Sequence, residues 1–393
     1  MLRHANAVLL ALSVAACVPV ADKPGQTGPA REPTLAFKRS SFSALEGWGE
    51  GAFLAAHGAY LRSCRSLAVR LPSSPLGGDK AYGTVADWQE ACRAAGAQPV
   101  KTDGEARAFF ESWFGVVQAL NGDEEKGLFT GYYEPELNGS RQRGGRFMTP
   151  LHQRPADLVE VDLGQFRPHL KGERVAGRVE GGRLVPFAAR REIISQAAGS
   201  AATPLVFVDD AVGAFFLHIQ GSGRARLPDG SVVRVGYDGK NEQPYVPIGR
   251  VLVDRGEMRL EDVSRQSIRA WLRAHPGEAE AVMDQNPSFI FFREVEGLAP
   301  DQGPPGTQTV PLTPMRSIAV DRAHIPLGTP LWLDTNDPLA PETPLRRLVM
   351  AQDTGGAIRG PTRADLFFGW GTEAEERAGR MRQPGSLYVL LPR

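Results

Sequence analysis

The sequence predicts a mainly β protein that begins with a small helical region and ends in a small closed barrel. Glycine and proline, at 44 and 31 residues, are frequent enough to favour short strands and tight turns. Apolar residues recur at helical spacing early in the chain, whereas short β-type runs dominate from Gly127 onwards. The hydrophobic fraction of 42% allows a substantial core, and the 45 basic and 45 acidic residues leave no net charge that would favour nucleic acid.

Residues 1–17 predict a signal peptide that ends in a lipid-attachment site. A short basic region precedes an apolar run that is too short to span a bilayer, and Val14–Cys17 has the form of a bacterial lipobox. We therefore expect cleavage before Cys17 and acylation of that cysteine, with an ordinary secretory signal as the alternative. Residues 18–36 are rich in Pro, Gly and Ala without periodicity, which predicts a flexible tether.

The N-terminal part of the mature chain predicts three helical segments, at 43–69, 85–97 and 103–120, because their apolar residues recur at helical spacing. The aromatic stripe of the third segment is expected to pack into the core. Cys64 and Cys92 are the cysteines that remain after cleavage and lipidation. An oxidising compartment favours a disulfide between them, with two buried free thiols as the alternative.

From Gly127 onwards the predicted elements are mainly short strands. The first group comprises a strand or strand end at 127–137, a strand pair around Gly-Gly at 171–187, two β-rich runs at 204–220 and a hairpin at 225–238. Helical spacing returns at 245–258 and 261–274. The second group comprises 288–294, 314–322, 329–335, 346–354 and 386–391. Gly/Pro loops separate these last strands, which favours a small closed barrel over a sandwich.

The densest candidate for chemistry is the segment 351–385. It places Asp353 at a predicted strand end and Asp365 immediately before an apolar, aromatic run. Such surroundings disfavour a charged carboxylate, so we expect a raised pKa at Asp365 and a role as general acid. Asp321 is a third aspartate at a strand end, and convergence of the three would raise at least one pKa by repulsion. A structural Asp365 that caps the next segment or pairs with Arg363 is the competing interpretation.

Other site chemistries fit the sequence less well. Metal binding by the three aspartates lacks an accompanying His or Cys and any Ca²⁺-loop spacing, so we expect neither a metal nor a cofactor. The triplet Asp353–Gly355 matches that of aspartic proteases, but those enzymes need two triplets and only one occurs here. The sequence contains no P-loop, Gly-x-Ser-x-Gly, HExxH or CxxC motif.

Collinear motifs make the chain resemble the family of membrane-bound lytic murein transglycosylase A (MltA). They are GLFTGYYEPEL from Gly127, FFLHIQGSGRARLPDG from Phe215, NPSFIFFRE from Asn286, PLTPMRSIAVDR from Pro311, IPLGTPLWL from Ile325, and QDTGGAIRGPTRADLFFGWGTEAEERAG from Gln352. The resemblance covers roughly residues 127–392, and the helical region before it matches only loosely.

This resemblance implies a fold in which a six-stranded double-psi β-barrel domain, named 3D after its three aspartates, is interrupted by an inserted β-rich domain. A groove between the two domains would take a glycan strand. We expect residues 37–134 to form the helical first part of the barrel domain, 135–285 the insert, and 286–393 the C-terminal barrel part with the aspartates.

The resemblance also implies roles for individual residues. Asp365 matches the catalytic acid, Asp353 the supporting aspartate and Asp321 the third. The substrate-binding positions would be Thr130, Tyr132 and Tyr133 in the TGYY segment and Gln220, Ser222 and Gly223 in the HIQGSG segment. Tyr132, Tyr133, Phe368 and Trp370 are candidates for stacking on sugars, with packing in the core as the alternative for each.

The implied activity is cleavage of the β-1,4 bond between N-acetylmuramic acid and N-acetylglucosamine in peptidoglycan, with formation of a 1,6-anhydro ring and action from a strand end. The implied partners are peptidoglycan strands and, through acylated Cys17, lipid on the periplasmic face of the outer membrane of a Gram-negative bacterium. We expect a monomer that does not bind nucleic acid. A non-catalytic peptidoglycan-binding lipoprotein is the alternative.

Overall fold

The computed structural model describes residues 33–97, 99–170, 174–195 and 202–393. Cys17, the predicted signal peptide and most of the predicted tether lie outside this part of the chain. The first strand, β1 (Leu35–Arg39), begins inside the segment predicted as a tether. Within the described residues, no helix combines the length and the apolar character needed to cross a bilayer.

The N-terminal region contains helices α1 (Phe53–Ala68), α2 (Val85–Ala97) and α3 (Asp103–Trp113). The first helix begins later than the apolar pattern predicts, because the residues before it form 3₁₀ turns. Helix α2 has the predicted bounds. A disulfide joins Cys64 of α1 to Cys92 of α2. By restricting the unfolded chain, a loop of 28 residues closed in this way stabilises the fold by about 3–4 kcal/mol.

The predicted helix over 103–120 is wrong in its second half. Helix α3 ends at Trp113, and β2 (Phe114–Asn121) follows without a loop. Phe114 has extended backbone angles, and β2 pairs with β1 on one side and with the last strand of the chain on the other. Both edges of β2 therefore have partners, and the tertiary pairing outweighs the helical spacing of its apolar residues.

Six strands form a closed ring, which confirms the expected barrel. They are β3 (Gly127–Glu134), β13 (Ser317–Val320), β14 (Pro330–Asn336), β15 (Pro344–Asp353), β16 (Arg363–Trp370) and β17 (Arg382–Pro392). The order is β17-β14-β15-β13-β16-β3, and β3 pairs back onto β17. The pairs β13–β15 and β16–β3 are parallel, and the other four are antiparallel. Closure removes free sheet edges and fixes the wall that carries the aspartates.

The barrel contains two elements that the sequence pattern does not predict. Strand β16 carries Asp365 as its third residue, so this aspartate lies within a strand and not at its end. The amphipathic helix α9 (Gly371–Arg380) follows β16 directly and packs on β3 and β16. Gly131 of β3 makes this packing possible, because a Cβ atom there would lie 2.5 Å from the Phe368 ring and 2.9 Å from Ala378 Cα.

The insert between β3 and β13 contains two further sheets. One has the order β12-β11-β10-β4-β9-β5, and the other is β6-β7-β8. The strands are β4 (Glu136–Ser140), β5 (Thr149–His152), β6 (Val159–Asp162), β7 (Arg174–Glu180), β8 (Arg183–Pro186), β9 (Pro204–Val208), β10 (Ser222–Arg226), β11 (Val232–Lys240) and β12 (Ile290–Glu294). The helices are α4 (Arg190–Ile194), α5 (Ala211–Gln220), α6 (Ile248–Asp254), α7 (Arg265–Ala274) and α8 (Pro276–Met283).

The run 288–294, predicted as part of the barrel, belongs to the insert. Strand β12 pairs with β11 and not with a barrel strand. The insert sheet therefore extends past the boundary predicted at residue 285.

The second β-rich run predicted within 204–220 is a helix. Asp210 caps α5 by accepting a hydrogen bond from the backbone N–H of Gly213 at 2.8 Å, and Gly221 ends the helix with a left-handed φ of +80°. Nearly every side chain of α5 is buried, so the helix has no polar face and its sequence shows no helical period.

Candidate active site

A cavity of about 820 Å³ lies between the barrel and the insert. The barrel contributes β3, the loop after β15, β16 and α9 to its wall. The insert contributes the end of α5, the start of α7 and Tyr245. Thr130, Tyr132, Asp353 and Asp365 all line this cavity, so the fold brings together residues that are far apart in the chain.

Asp365 faces the cavity from β16 and is half-buried. In the parallel pairing of β16 with β3, Asp365 lies opposite Thr130, whose hydroxyl donates a hydrogen bond to Asp365 Oδ1 at 2.7 Å. Arg363 Nη2 in turn donates to Thr130 Oγ1 at 2.8 Å. Burial raises the pKa of Asp365, while the Thr130 hydrogen bond and the Arg363 charge lower it by less. The net shift favours the protonated carboxyl that general-acid catalysis requires.

The main cause of the raised pKa is the one expected from the apolar, aromatic surroundings of Asp365, because burial disfavours its charged form. The repulsion expected from converging aspartates contributes less. The charge of Asp353 does raise the pKa of Asp365, but it is the smallest of the contributions, and burial is the largest.

Asp353 ends β15 and is held by four donated hydrogen bonds. Its Oδ1 accepts from the backbone N–H and the hydroxyl of Thr307 and from the backbone N–H of Thr354, each at 2.9 Å. Its Oδ2 accepts from the Tyr132 hydroxyl at 3.0 Å. Burial and the nearby charge of Asp353 raise the pKa of Tyr132, so its hydroxyl remains a donor. These four donors fix the position of the Asp353 carboxyl group on the cavity wall.

Asp321 does not join the other two aspartates in the cavity. It lines a neighbouring small cleft, and only 8% of it is exposed. This cleft shares Thr354, Gly355, Gly356 and Ile358 with the cavity wall. Its Oδ2 accepts from the backbone N–H of Gly360 at 2.8 Å, and its Oδ1 accepts from that of Ala323 at 3.1 Å. The expected convergence of three carboxylates is therefore wrong for this residue, which ties the loop before β16 to the turn after β13.

The substrate-binding positions predicted in the two motifs divide into cavity residues and packing residues. Gln220 lines the cavity with Thr130 and Tyr132. Ser222 and Gly223 instead lie within β10 and pair with β11, outside the cavity wall. Gly223 is required for packing, because a Cβ atom there would lie 2.3 Å from Leu217 Cδ1 of α5.

Three of the four aromatic candidates for sugar stacking point elsewhere. Tyr133 is 3% exposed and packs in the core beneath the barrel wall. Phe368 and Trp370 line a second cavity of about 360 Å³. The Arg224 guanidinium lies 3.7 Å from the centre of the Trp370 ring. Tyr132 is the candidate that reaches the main cavity.

The insert supplies cavity residues that sequence reasoning missed. Tyr245 lines the cavity with 55% of its surface exposed, and Arg265 lines it from the first turn of α7. Neither lies in a recognisable motif, and only the packing of the insert against the barrel brings them to the site. Within the described residues, no group of three or more His, Cys, Asp or Glu side chains is placed to hold a metal ion.

A buried charge cluster outside the cavity lining joins the barrel to the insert sheet. Glu134, the last residue of β3, is 1% exposed. It accepts a hydrogen bond from Arg224 Nε at 2.7 Å and two from Arg234 Nη2 at 3.1 and 3.2 Å. Because β3 belongs to the barrel and both arginines belong to the insert sheet, this cluster sets the position of one domain on the other.

Comparison with known proteins agrees with this architecture. Residues 128–293 match the family profile described as the MltA specific insert domain, and residues 316–391 match that of the 3D domain. The crystal structure of MltA from Neisseria gonorrhoeae aligns with a TM-score of 0.77 and 32% identity over 94% of this chain and 96% of that one. This chain belongs to the MltA family.

Two further comparisons involve MltA of Escherichia coli. Membrane-bound lytic murein transglycosylase A of Escherichia coli is 35% identical over 269 residues, which are 67% of this chain and 65% of that protein. A crystal structure of E. coli MltA with bound chitohexaose aligns with a TM-score of 0.64 and 28% identity over 92% of this chain and 95% of that one. The chain thus matches somewhat under two thirds of the length of the E. coli relative in sequence, and nearly all of the MltA structures in fold.

Proposed function

We propose that this protein is a peptidoglycan lytic transglycosylase that cleaves the β-1,4 bond between N-acetylmuramic acid and N-acetylglucosamine. The observation that carries the proposal is the half-buried Asp365, with its raised pKa, in the cavity between the two domains. The names of the MltA relatives support the substrate class.

Asp365 acts first as the acid. Its proton passes to the glycosidic oxygen as the bond from that oxygen to C1 of the muramic sugar breaks. Positive charge develops at C1, and the acetamido group of the same sugar stabilises it. Asp365 is now a carboxylate, which the Thr130 hydroxyl and the Arg363 charge favour.

The same carboxylate then acts as the base. It takes the proton of the C6 hydroxyl of the muramic sugar while the C6 oxygen bonds to C1, which closes the 1,6-anhydro ring and restores the protonated acid. The nucleophile belongs to the substrate, so its effective concentration is high. A second catalytic carboxylate is unnecessary, in contrast to hydrolytic glycosidases. Asp353 supports this cycle as a fixed neighbouring charge.

The decisive test replaces Asp365 by Asn. We expect release of anhydromuropeptides from isolated sacculi to fall by about 10²- to 10⁴-fold, as for loss of a general acid, with glycan binding retained. Asp157→Asn, which changes an exposed aspartate outside the cavity, is the matched control and should keep full activity.

Mass spectrometry of the products separates the competing functions. Anhydro ends identify a lytic transglycosylase, new reducing ends identify a muramidase, and an absence of cleavage with retained binding identifies a binding lipoprotein. Near-normal anhydro release by Asp365→Asn would reject Asp365 as the acid.

We also propose that acylated Cys17 anchors the protein to the periplasmic face of the outer membrane. The lipobox at Val14–Cys17 supports this, as does the description of the E. coli relative as membrane-bound. Cys17→Ala is expected to move the protein into the soluble periplasmic fraction. Continued recovery of this variant in the outer membrane would contradict a lipid anchor. We further propose a monomer that acts from the end of a strand.

A further inference from the structure

The two arginines of the cavity wall differ in how their donors are used. Arg363 donates from Nη2 to Thr130 Oγ1 at 2.8 Å. Its Nη1 donates to the backbone oxygens of Ala364, at 2.6 Å, and Leu128, at 3.3 Å. Its hydrogen bonds therefore all go to the barrel.

Arg265 is held in place but keeps a free donor. Its guanidinium lies 5.0 Å from the centre of the Tyr133 ring. When the Gln220 amide is oriented so that both of its ends are satisfied, its oxygen accepts from Arg265 Nη2 at 3.2 Å and its nitrogen donates to the Tyr133 carbonyl at 3.1 Å. Arg265 Nη1 is buried without a hydrogen-bond partner. A buried unpaired donor on a cation is costly, so this nitrogen is prepared for an acceptor that the protein does not supply.

No carboxylate of the cavity wall is hydrogen-bonded to Arg265. Asp353 receives four hydrogen bonds from Thr307, Thr354 and Tyr132, and Asp365 receives one from Thr130. The insert wall therefore presents a preorganised cation to whatever fills the cavity. A carboxylate is the group that a guanidinium binds best, through paired charge-assisted hydrogen bonds.

We propose that Arg265 binds the carboxylate that the muramic sugar carries on its C3 substituent, and so selects murein over a neutral glucosamine polymer. This inference rests on the proposed function. The carboxylate is that of the lactyl group when no peptide is attached, or one of the attached peptide when it is. The shared chemistry is an anion on alternate sugars, which a polymer of N-acetylglucosamine lacks.

Such binding would also act on the catalytic acid. The groups whose charge or hydrogen bond acts on the pKa of Asp365 are Thr130, Arg363, Arg265 and Asp353, and the positive charge of Arg265 lowers it. An anion bound to Arg265 offsets that charge, which raises the pKa of Asp365 and favours its protonated form when the correct sugar is present.

The test compares the single variant Asp365→Asn, which is expected not to cleave the glycan, with the double variant that also carries Arg265→Gln. Calorimetry measures binding of three glycans of equal length: chitohexaose, a murein hexasaccharide without peptides, and the same hexasaccharide with peptides. We expect Arg265→Gln to weaken binding of a murein glycan by about 10- to 100-fold, as for loss of a charge-assisted hydrogen bond, and to leave chitohexaose binding unchanged. Arg265→Lys should retain part of the selectivity because it keeps the charge.

The control is Arg250→Gln, which changes an exposed arginine of α6 that pairs with Asp254 on its own helix and lies outside the cavity. Weakening for the peptide-free hexasaccharide assigns the lactyl carboxylate, and weakening only for the peptide-bearing one assigns the peptide. Equal weakening for chitohexaose, or no weakening for either murein glycan, overturns the proposal. Unchanged chitohexaose binding also shows that the variant is folded.

Failure of this inference is distinguishable from failure of the proposed function. The protein with Asp365 intact is incubated with the same two murein glycans, and anhydro products are measured. Anhydro release without an effect of Arg265→Gln on binding rejects the carboxylate site alone. Absence of anhydro products rejects the proposed activity.

Discussion

On the barrel side of the cavity, Asp353 receives four hydrogen bonds. Asp365 is fixed by two successive hydrogen bonds, from Arg363 to Thr130 and from Thr130 to Asp365. On the insert side, Arg265 keeps an unpaired donor and Tyr245 is largely exposed. The barrel wall thus positions both of its carboxyl groups with hydrogen bonds of its own, whereas the insert wall keeps an unpaired donor. In the proposed function, proton transfer belongs to the barrel, where geometry must not change, and recognition belongs to the insert.

The barrel wall is rigid for a topological reason. Thr130 and Asp365 lie opposite each other on paired strands of a closed ring, so neither can move without breaking the pairing of β3 with β16. The insert residues lie instead at a helix end and in a loop. Such positions can differ between related proteins at little cost to the fold.

The largest loss of stability is expected from Glu134→Gln, because Glu134 joins barrel strand β3 to two arginines of the insert sheet. Removal of its charge leaves Arg224 and Arg234 buried without a counter-ion, which should lower the free energy of unfolding by about 3–5 kcal/mol. Denaturant unfolding measures the change. Glu136→Gln removes the more exposed ion pair with Arg226 and should cost about 1 kcal/mol or less. Equal losses in the two variants would show that the buried cluster does not hold the domains together.

Thr130→Val is expected to have a smaller effect, which is confined to the barrel wall and changes the pKa of Asp365. The Thr130 hydroxyl stabilises the ionised form of Asp365 and so lowers its pKa. Its loss should raise that pKa further. The acid then stays protonated to higher pH, and the alkaline limb of the pH profile of kcat/KM moves upward. The rate maximum should fall by about tenfold, as expected for a lost hydrogen bond to a charged group.

Thr130→Ser keeps the hydroxyl and is the matched control for that profile. Its alkaline limb should coincide with that of the unchanged protein. A downward shift in Thr130→Val would mean that the hydroxyl stabilises the protonated acid instead, which would reverse the proposed electrostatics of the barrel wall.

The smallest effect is expected from Asp321→Asn. Asp321 accepts hydrogen bonds from two backbone N–H groups outside the cavity, and an asparagine oxygen can still accept one of them. We expect a loss of about 1 kcal/mol in unfolding free energy and nearly unchanged kcat. A loss of activity comparable to that of Asp365→Asn, with stability retained, would place Asp321 in the catalytic machinery after all.

The sequence predicted those parts of the site that are coded locally. Thr130, Gly131 and Tyr132 of the TGYY motif line one cavity together with Asp353 and Asp365, whereas Tyr133 packs in the core. The sequence pattern was less informative for the residues around them. Ser222 and Gly223 belong to a recognisable motif because α5 packs closely on β10, and not because they line the cavity.

Local sequence also predicted the class of fold and most strands, because turn residues and β-branched runs act over a few positions. Tertiary structure decided what depends on partners. Phe114–Asn121 is a strand because two other strands pair with it, and 211–220 is a helix whose burial removes the usual period. The raised pKa of Asp365 depends on the burial that the folded chain gives it, and Arg265 comes close enough to act on that pKa only when the insert packs on the barrel. Burial and charge proximity are properties of the assembled cavity and not of any stretch of sequence.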